Sequence, residues 1–230
     1  AQEGGAGRVE LCSALVIGGL SPSAAMFRQV KENTDLKIRV LLRPRFGDFC
    51  YDEYEFQTLA EEVQQFRELG ADGVVIGILK PDGTINMEQM AELVNAAKGI
   101  GITMHRAFDV CSNPYEALEQ CVSLGIDTIL TSGQRNSAWE GRELLSELVR
   151  RADGRIDILA GAGIGPEVIG ELADYTGVRS FHMSGKKVLD SRMEFRRSGV
   201  PMGIPGFSEF EIWQTDADQV RRAAEILKER

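Results

Sequence analysis

Residues 69–77, LGADGVVIG, decide the fold. Gly70 closes an amphipathic run and suits the left-handed position that ends a helix. Val74, Val75 and Ile76 then form a short, wholly apolar run, as in a strand buried on both faces. Gly77 stops it. The same order of helix end, glycine, strand and glycine returns at 124–133, LGIDTILTSG, and at 176–185, TGVRSFHMSG. The leading glycines, Gly70, Gly125 and Gly177, lie about two strand–helix units apart.

Working outward, seven apolar runs recur: 8–13 (RVELCS), 38–44 (IRVLLRP), 73–79 (GVVIGIL), 101–108 (GITMHRAF), 128–133 (TILTSG), 156–163 (IDILAGAG) and 180–185 (SFHMSG). Between them lie helical periodicities, such as Phe56, Leu59, Ala60, Val63 and Phe66. Proline after a capping candidate marks three helix starts, at Ser21-Pro22, Asn113-Pro114 and Gly165-Pro166. Strands alternating with helices imply a parallel sheet. Seven units without a change of composition favour a TIM-type (β/α)8 barrel of the α/β class, one domain over 1–230, over a doubly wound sheet. No GxGxxG follows a strand. An eighth, first strand is expected to be missing from the chain, since 1–7 reads as a helix tail and turn. The segment 186–216, rich in Gly, Pro, Arg and aromatics, is expected to be an irregular flap over the mouth.

The chain has 230 residues, is 43% hydrophobic and carries a net charge of −9. That charge disfavours a nucleic-acid partner, which calls for a basic surface. No apolar run approaches the roughly 20 residues that span a bilayer, and the first residues lack the basic and apolar regions of a signal peptide. The four cysteines form no CxxC and no disulfide framework, which suits reduced thiols in the cytoplasm.

Polar residues gather at the C-terminal ends of the strands, where barrels build their active sites. Arg43 and Arg45 are two apart and are expected to share a side. With Asp48 orienting one of them, their guanidinium forks suit a carboxylate or phosphate. His105 offers an acid, base or ligand, with Asp109 holding it or pairing with Arg106. The chain has two histidines, and the other, His182, also lies near a strand end, followed by Ser184. Ser132 ends its own strand. Ala162 and Gly163, before the helix at Pro166, are placed to bring backbone N–H groups to an anion. Glu10 and Cys12 share a face of the first run. Cys12 is a soft ligand, though a strand cysteine is most often a small buried hydrophobe. No cofactor follows from spacing alone.

Two functions fit these residues ahead of a third reading, a non-catalytic scaffold. One is an enzyme acting on a phosphorylated or carboxylated small molecule, with Arg43, Arg45, Asp48, Arg106, Ser132, Ala162, Gly163, His182 and Ser184 binding it. Glu10, His105 and Asp109 would then be its catalytic groups. The other is metal handling at Cys12.

RVELCSAL with GGLSPS, RPRFGDFCY, GADGVVIGIL, MHRAFD, ILTSGQ, AGAGI, FHMSG and DSRMEFR stand in the order seen in the CutC family, which this chain resembles over nearly its whole length. The resemblance implies a single cytoplasmic TIM-type barrel that forms homo-oligomers and takes part in copper homeostasis. It also implies copper, as Cu(I), at Cys12, which matches a cysteine proposed as a ligand in that family. A second proposed cysteine belongs to the family's first strand. Phe46, the AGAG loop and Gly185-Lys186 depart from the family pattern.

Overall fold

The computed structural model describes residues 1–200, 202–203 and 206–229. Five of the seven α-helices among these residues start where polar side chains take up free backbone donors. Asp52 accepts from the Glu55 amide and Glu55 bonds back to Asp52, a reciprocal cap on α2 (Glu53–Glu68). Leu59, Val63 and Phe66 are the buried face of that helix. Asn113 caps α4 (Pro114–Ser123), and Gly165 precedes α6 (Pro166–Thr176), both with proline in the first turn. The Ser21-Pro22 expectation is corrected. Helix α1 (Ala24–Asn33) begins later, because the Ser23 hydroxyl accepts from the Met26 amide. Helices α3 (Met87–Ala96), α5 (Arg142–Ala152) and α7 (Ala217–Lys228) complete the set.

The strands alternate with these helices: β1 (Arg8–Leu11), β2 (Lys37–Leu41), β3 (Gly73–Ile76), β4 (Gly101–Met104), β5 (Thr128–Thr131), β6 (Asp157–Ala160) and β7 (Ser180–Phe181). All seven pair in parallel and in sequence order, with β1 and β7 at the two edges. Each expected run holds one strand, and the sheet curls as in a TIM-type barrel. Every residue of β3 and β5 is buried, which is why the β3 run reads as a continuous apolar stretch, while β5 buries two threonines.

The two faces of the sheet differ in chemistry. Val40, Leu42, Val74, Ile76, Met104 and Ile129 join the core shared with Phe27, Val63 and Leu148 of the helices. The inner face is partly polar. Arg39 of β2 reaches across Gly73 and Gly101 to Thr103 and Thr128, and pairs with Asp127 at 2.7 Å. A Cβ on Gly101 would lie 2.7 Å from the Arg39 guanidinium, so that glycine is what lets the arginine cross. Glu10 stands opposite Arg39 in register and thus faces the same interior.

The segment after β7 differs from the irregular flap expected. It contains a two-stranded antiparallel ribbon, β8 (Lys186–Asp190) with β9 (Glu211–Thr215). Its ties to the rest of the chain run to the start of α7, through Lys187 with Asp216 and the Lys186 carbonyl with Gln219. Among the described residues, no bond joins it to the strand-end groups. Pro201, Ile204 and Pro205, also part of that expected flap, lie outside the described residues.

Candidate functional site at the strand ends

Strand alternation carries Glu10, Cys12, Arg43, His105, Ser132 and His182 to the C-terminal end of the sheet. Register links them, since the His105 amide bonds the Ile76 carbonyl and the His182 amide bonds the Ala160 carbonyl. The sheet curls far enough for its edges to meet at this end. His182 Nδ1 lies 3.7 Å from Glu10 Oε2 across the gap between β7 and β1.

Arg43 is half-buried. Its Nη2 donates to the Gly47 carbonyl at 2.9 Å, and its Nη1 lies 3.4 Å from the Ile17 and Gly19 carbonyls. Its guanidinium also stacks 5.0 Å from the Phe49 ring. None of these partners is anionic. The structure turns Arg45 elsewhere. Arg45 donates to Glu55 at 2.5 Å and to Asp48 at 2.9 Å, and lies over the Tyr51 ring. Asp48 is exposed and serves that brace. The charge of Arg45 is thus met by carboxylates, whereas that of Arg43 is not. The bonds of the 160–163 loop run instead to Ala138 and to strand neighbours, with Ala138 donating to the Ala162 carbonyl.

His105 is buried, 4% exposed, and tilts against Phe49 at 4.8 Å. Its Nδ1 accepts from the Ala107 amide at 3.1 Å, which puts the ring proton on Nε2. Burial, reinforced by the Arg43 charge, lowers its pKa to about 3. Gly77 makes the room, because a Cβ there would sit 2.7 Å from the imidazole.

Asp109 does not hold His105. Its carboxylate accepts from Thr131 Oγ1 and from the amides and hydroxyl of 132–134, and pairs with Arg106 at 2.7 Å. Arg106 also reaches Ser132 Oγ at 3.2 Å. Asp109 is thus the knot that fixes the loop after β5, with its acceptor positions filled. Ser184 is exposed beyond β7.

Cys12 is half-buried and follows β1 directly. Burial and the neighbouring Glu10 push its thiol up to about 11. All four cysteines are free. Among the described residues no group of three His, Cys, Asp or Glu side chains gathers to hold a metal ion. One thiol that retains its proton beside one carboxylate is not a preformed copper centre.

Ala162 and Gly163 both take left-handed backbone angles, at φ 72° and 70°. For Ala162 this costs about 1–2 kcal/mol. Ala162→Gly is expected to stabilise the chain by about 0.5–1 kcal/mol, after the extra entropy that glycine loses on folding. Urea unfolding midpoints check this. A midpoint that stays put or falls would show that Ala162 is unstrained.

Sequence reading missed Phe49 and Tyr51, which pack under the two arginines. Both stand in a loop, without the periodicity that marks buried residues. The one available signal was their place in the same RPRFGDFCY segment as the arginines.

The model of the CutC family matches residues 1–187. A family protein CutC of Parabacteroides distasonis is 46% identical over 223 residues, 96% of this chain and 92% of its own length. One of Histophilus somni is 40% identical over 229 residues, covering 100% of this chain and 94% of its own. The crystal structure of a CutC protein of Streptococcus agalactiae, named for copper homeostasis, superposes with a TM-score of 0.72 at 33% identity. That match spans 76% of this chain and 87% of the other. On sequence and on fold alike, the chain belongs to the CutC family.

Proposed function

We propose that this chain acts in copper homeostasis, the role for which its Streptococcus agalactiae relative is named, as a barrel that binds a small anionic molecule at its strand ends. Arg43 carries the proposal. It is a half-buried cation whose partners are backbone carbonyls and an aromatic ring, so its charge remains for a ligand to match. A carboxylated or phosphorylated small molecule fits such a fork. At the mouth, Glu10 and His182 face each other across the edges of the sheet. His105 stays neutral with Nδ1 already accepting from Ala107, which leaves it a donor, and Asp109 is already fully bonded. The four free thiols suit the cytoplasm, and the exposed apolar side chains of the β8–β9 ribbon, Val188 and Ile212 among them, suit a homo-oligomer.

The second reading is a Cu(I) ion on Cys12, favoured by a half-buried thiol that directly follows β1. One set of titrations separates the two. Phosphate is expected to raise the melting temperature above chloride at matched ionic strength, and Arg43→Ala to remove most of the rise. Copper(I) is expected to bind weakly, with Cys12→Ser removing more of that affinity than Ser at Cys50, Cys111 or Cys121. Tight copper(I) binding lost in Cys12→Ser, with phosphate and chloride acting alike, would reverse the assignment.

A further inference from the structure

We propose that Arg43, Tyr51 and His105 form a single receptor for one oxygen of a carboxylate or phosphate, the deep subsite of the mouth. This rests on the reading of that mouth as an anion site. Three buried polar side-chain atoms stand without a partner among the described residues: Arg43 Nε, Tyr51 Oη and His105 Nε2. Buried polar atoms are nearly always bonded, so each orphan calls for an explanation. These three belong to one neighbourhood. The Phe49 ring touches both the His105 ring and the Arg43 guanidinium, and Tyr51 follows two residues later. Arg43 is the charge that bears on His105, and the first of the charges that bear on the Tyr51 phenol.

What they present decides what they take. Arg43 Nε–H can only donate. His105 Nε2 carries the ring proton, because Nδ1 accepts from Ala107, so it donates as well. The Tyr51 hydroxyl supplies a third donor, and burial keeps it protonated, with its pKa pushed up to about 12. A cation finds no acceptor lone pair at the arginine or the imidazole N–H, and a hydrocarbon would leave every donor unpaired. An oxygen that carries negative charge satisfies them. Arg45 has a positioning part here. Tied to Glu55, it lies over the Tyr51 ring and braces the loop that brings the phenol in.

The chain has two histidines, so the imidazole nitrogens of 15N-labelled protein give two readable ring patterns. The probes are inorganic phosphate and acetate, each against chloride at matched ionic strength. The free protein is expected to show His105 protonated on Nε2. A bound probe is expected to shift that Nε2 and its proton saturably. Tyr51→Phe should weaken the same probe about tenfold or more, the loss of one bond to a charged group. A response to acetate alone identifies a carboxylate ligand, and a response to phosphate alone a phosphoryl one. If an anion raises the melting temperature while the His105 signals stay still, the mouth binds anions and the subsite falls. If neither anion binds, the reading of the mouth falls with it. A His105 proton found on Nδ1 overturns the subsite outright. The wild-type spectra decide the matter even if Tyr51→Phe fails to fold.

Discussion

Asp109→Ala is expected to destabilise the chain by about 3–5 kcal/mol, a large share of the 5–15 kcal/mol that typically holds a domain. The side chain is 6% exposed and gathers five donors around one carboxylate. Removing it leaves the Ser132 and Gln134 amides and the Thr131 hydroxyl facing a cavity. Thr131 and Ser132 are themselves buried, so water cannot readily replace the carboxylate. Asp109→Asn should recover only part of the loss. Its amide keeps one acceptor oxygen and turns an NH2 toward groups that also donate. Urea unfolding of the three proteins at neutral pH tests this. A loss below about 1 kcal/mol for Asp109→Ala would mean that the 131–134 loop is held by other bonds.

The fold was legible wherever burial left a pattern. Residues 73–76 are apolar on both sides because helices cover one face and the barrel interior the other. The β8–β9 ribbon was not legible, because it has no buried face to impose alternation. KKVLD and EIWQT are exposed over most of their length and flank a stretch of sequence rich in Gly and Pro. The same division runs through the site. Alternation along β1, β2, β4 and β7 places Glu10, Cys12, Arg43, His105 and His182 without reference to distant partners. It fails at Arg45. Strand β2 ends at Leu41 and Pro44 intervenes, so the two-residue period no longer applies and Arg45 is free to turn to Glu55. The role of Asp109 depends on a loop 22 to 25 residues away, which no local spacing reports.

Acidification should act through His105 with a definite sign and size. The ordinary imidazole pKa is 6.5, and burial lowers it to about 3 in the folded chain. The unfolded chain therefore binds a proton at His105 between those values while the folded chain does not. Stability from this group is complete above about pH 6.5 and is lost as pH falls toward 3. The loss is about 1.4 kcal/mol for each unit, or roughly 3 kcal/mol by pH 4. His105→Asn isolates the effect. The asparagine oxygen can take over the bond from the Ala107 amide, which caps the short turn at Arg106–Val110, and it does not titrate. Unfolding free energies of both proteins should converge as pH falls from 7 to 4, with the wild type showing the steeper decline. Carboxylates paired on the surface contribute alike to the two and cancel in the comparison. Parallel declines would show that His105 accepts a proton in the folded state, and an imidazole that does so at pH 5 is not the buried N–H donor on which the oxygen receptor depends.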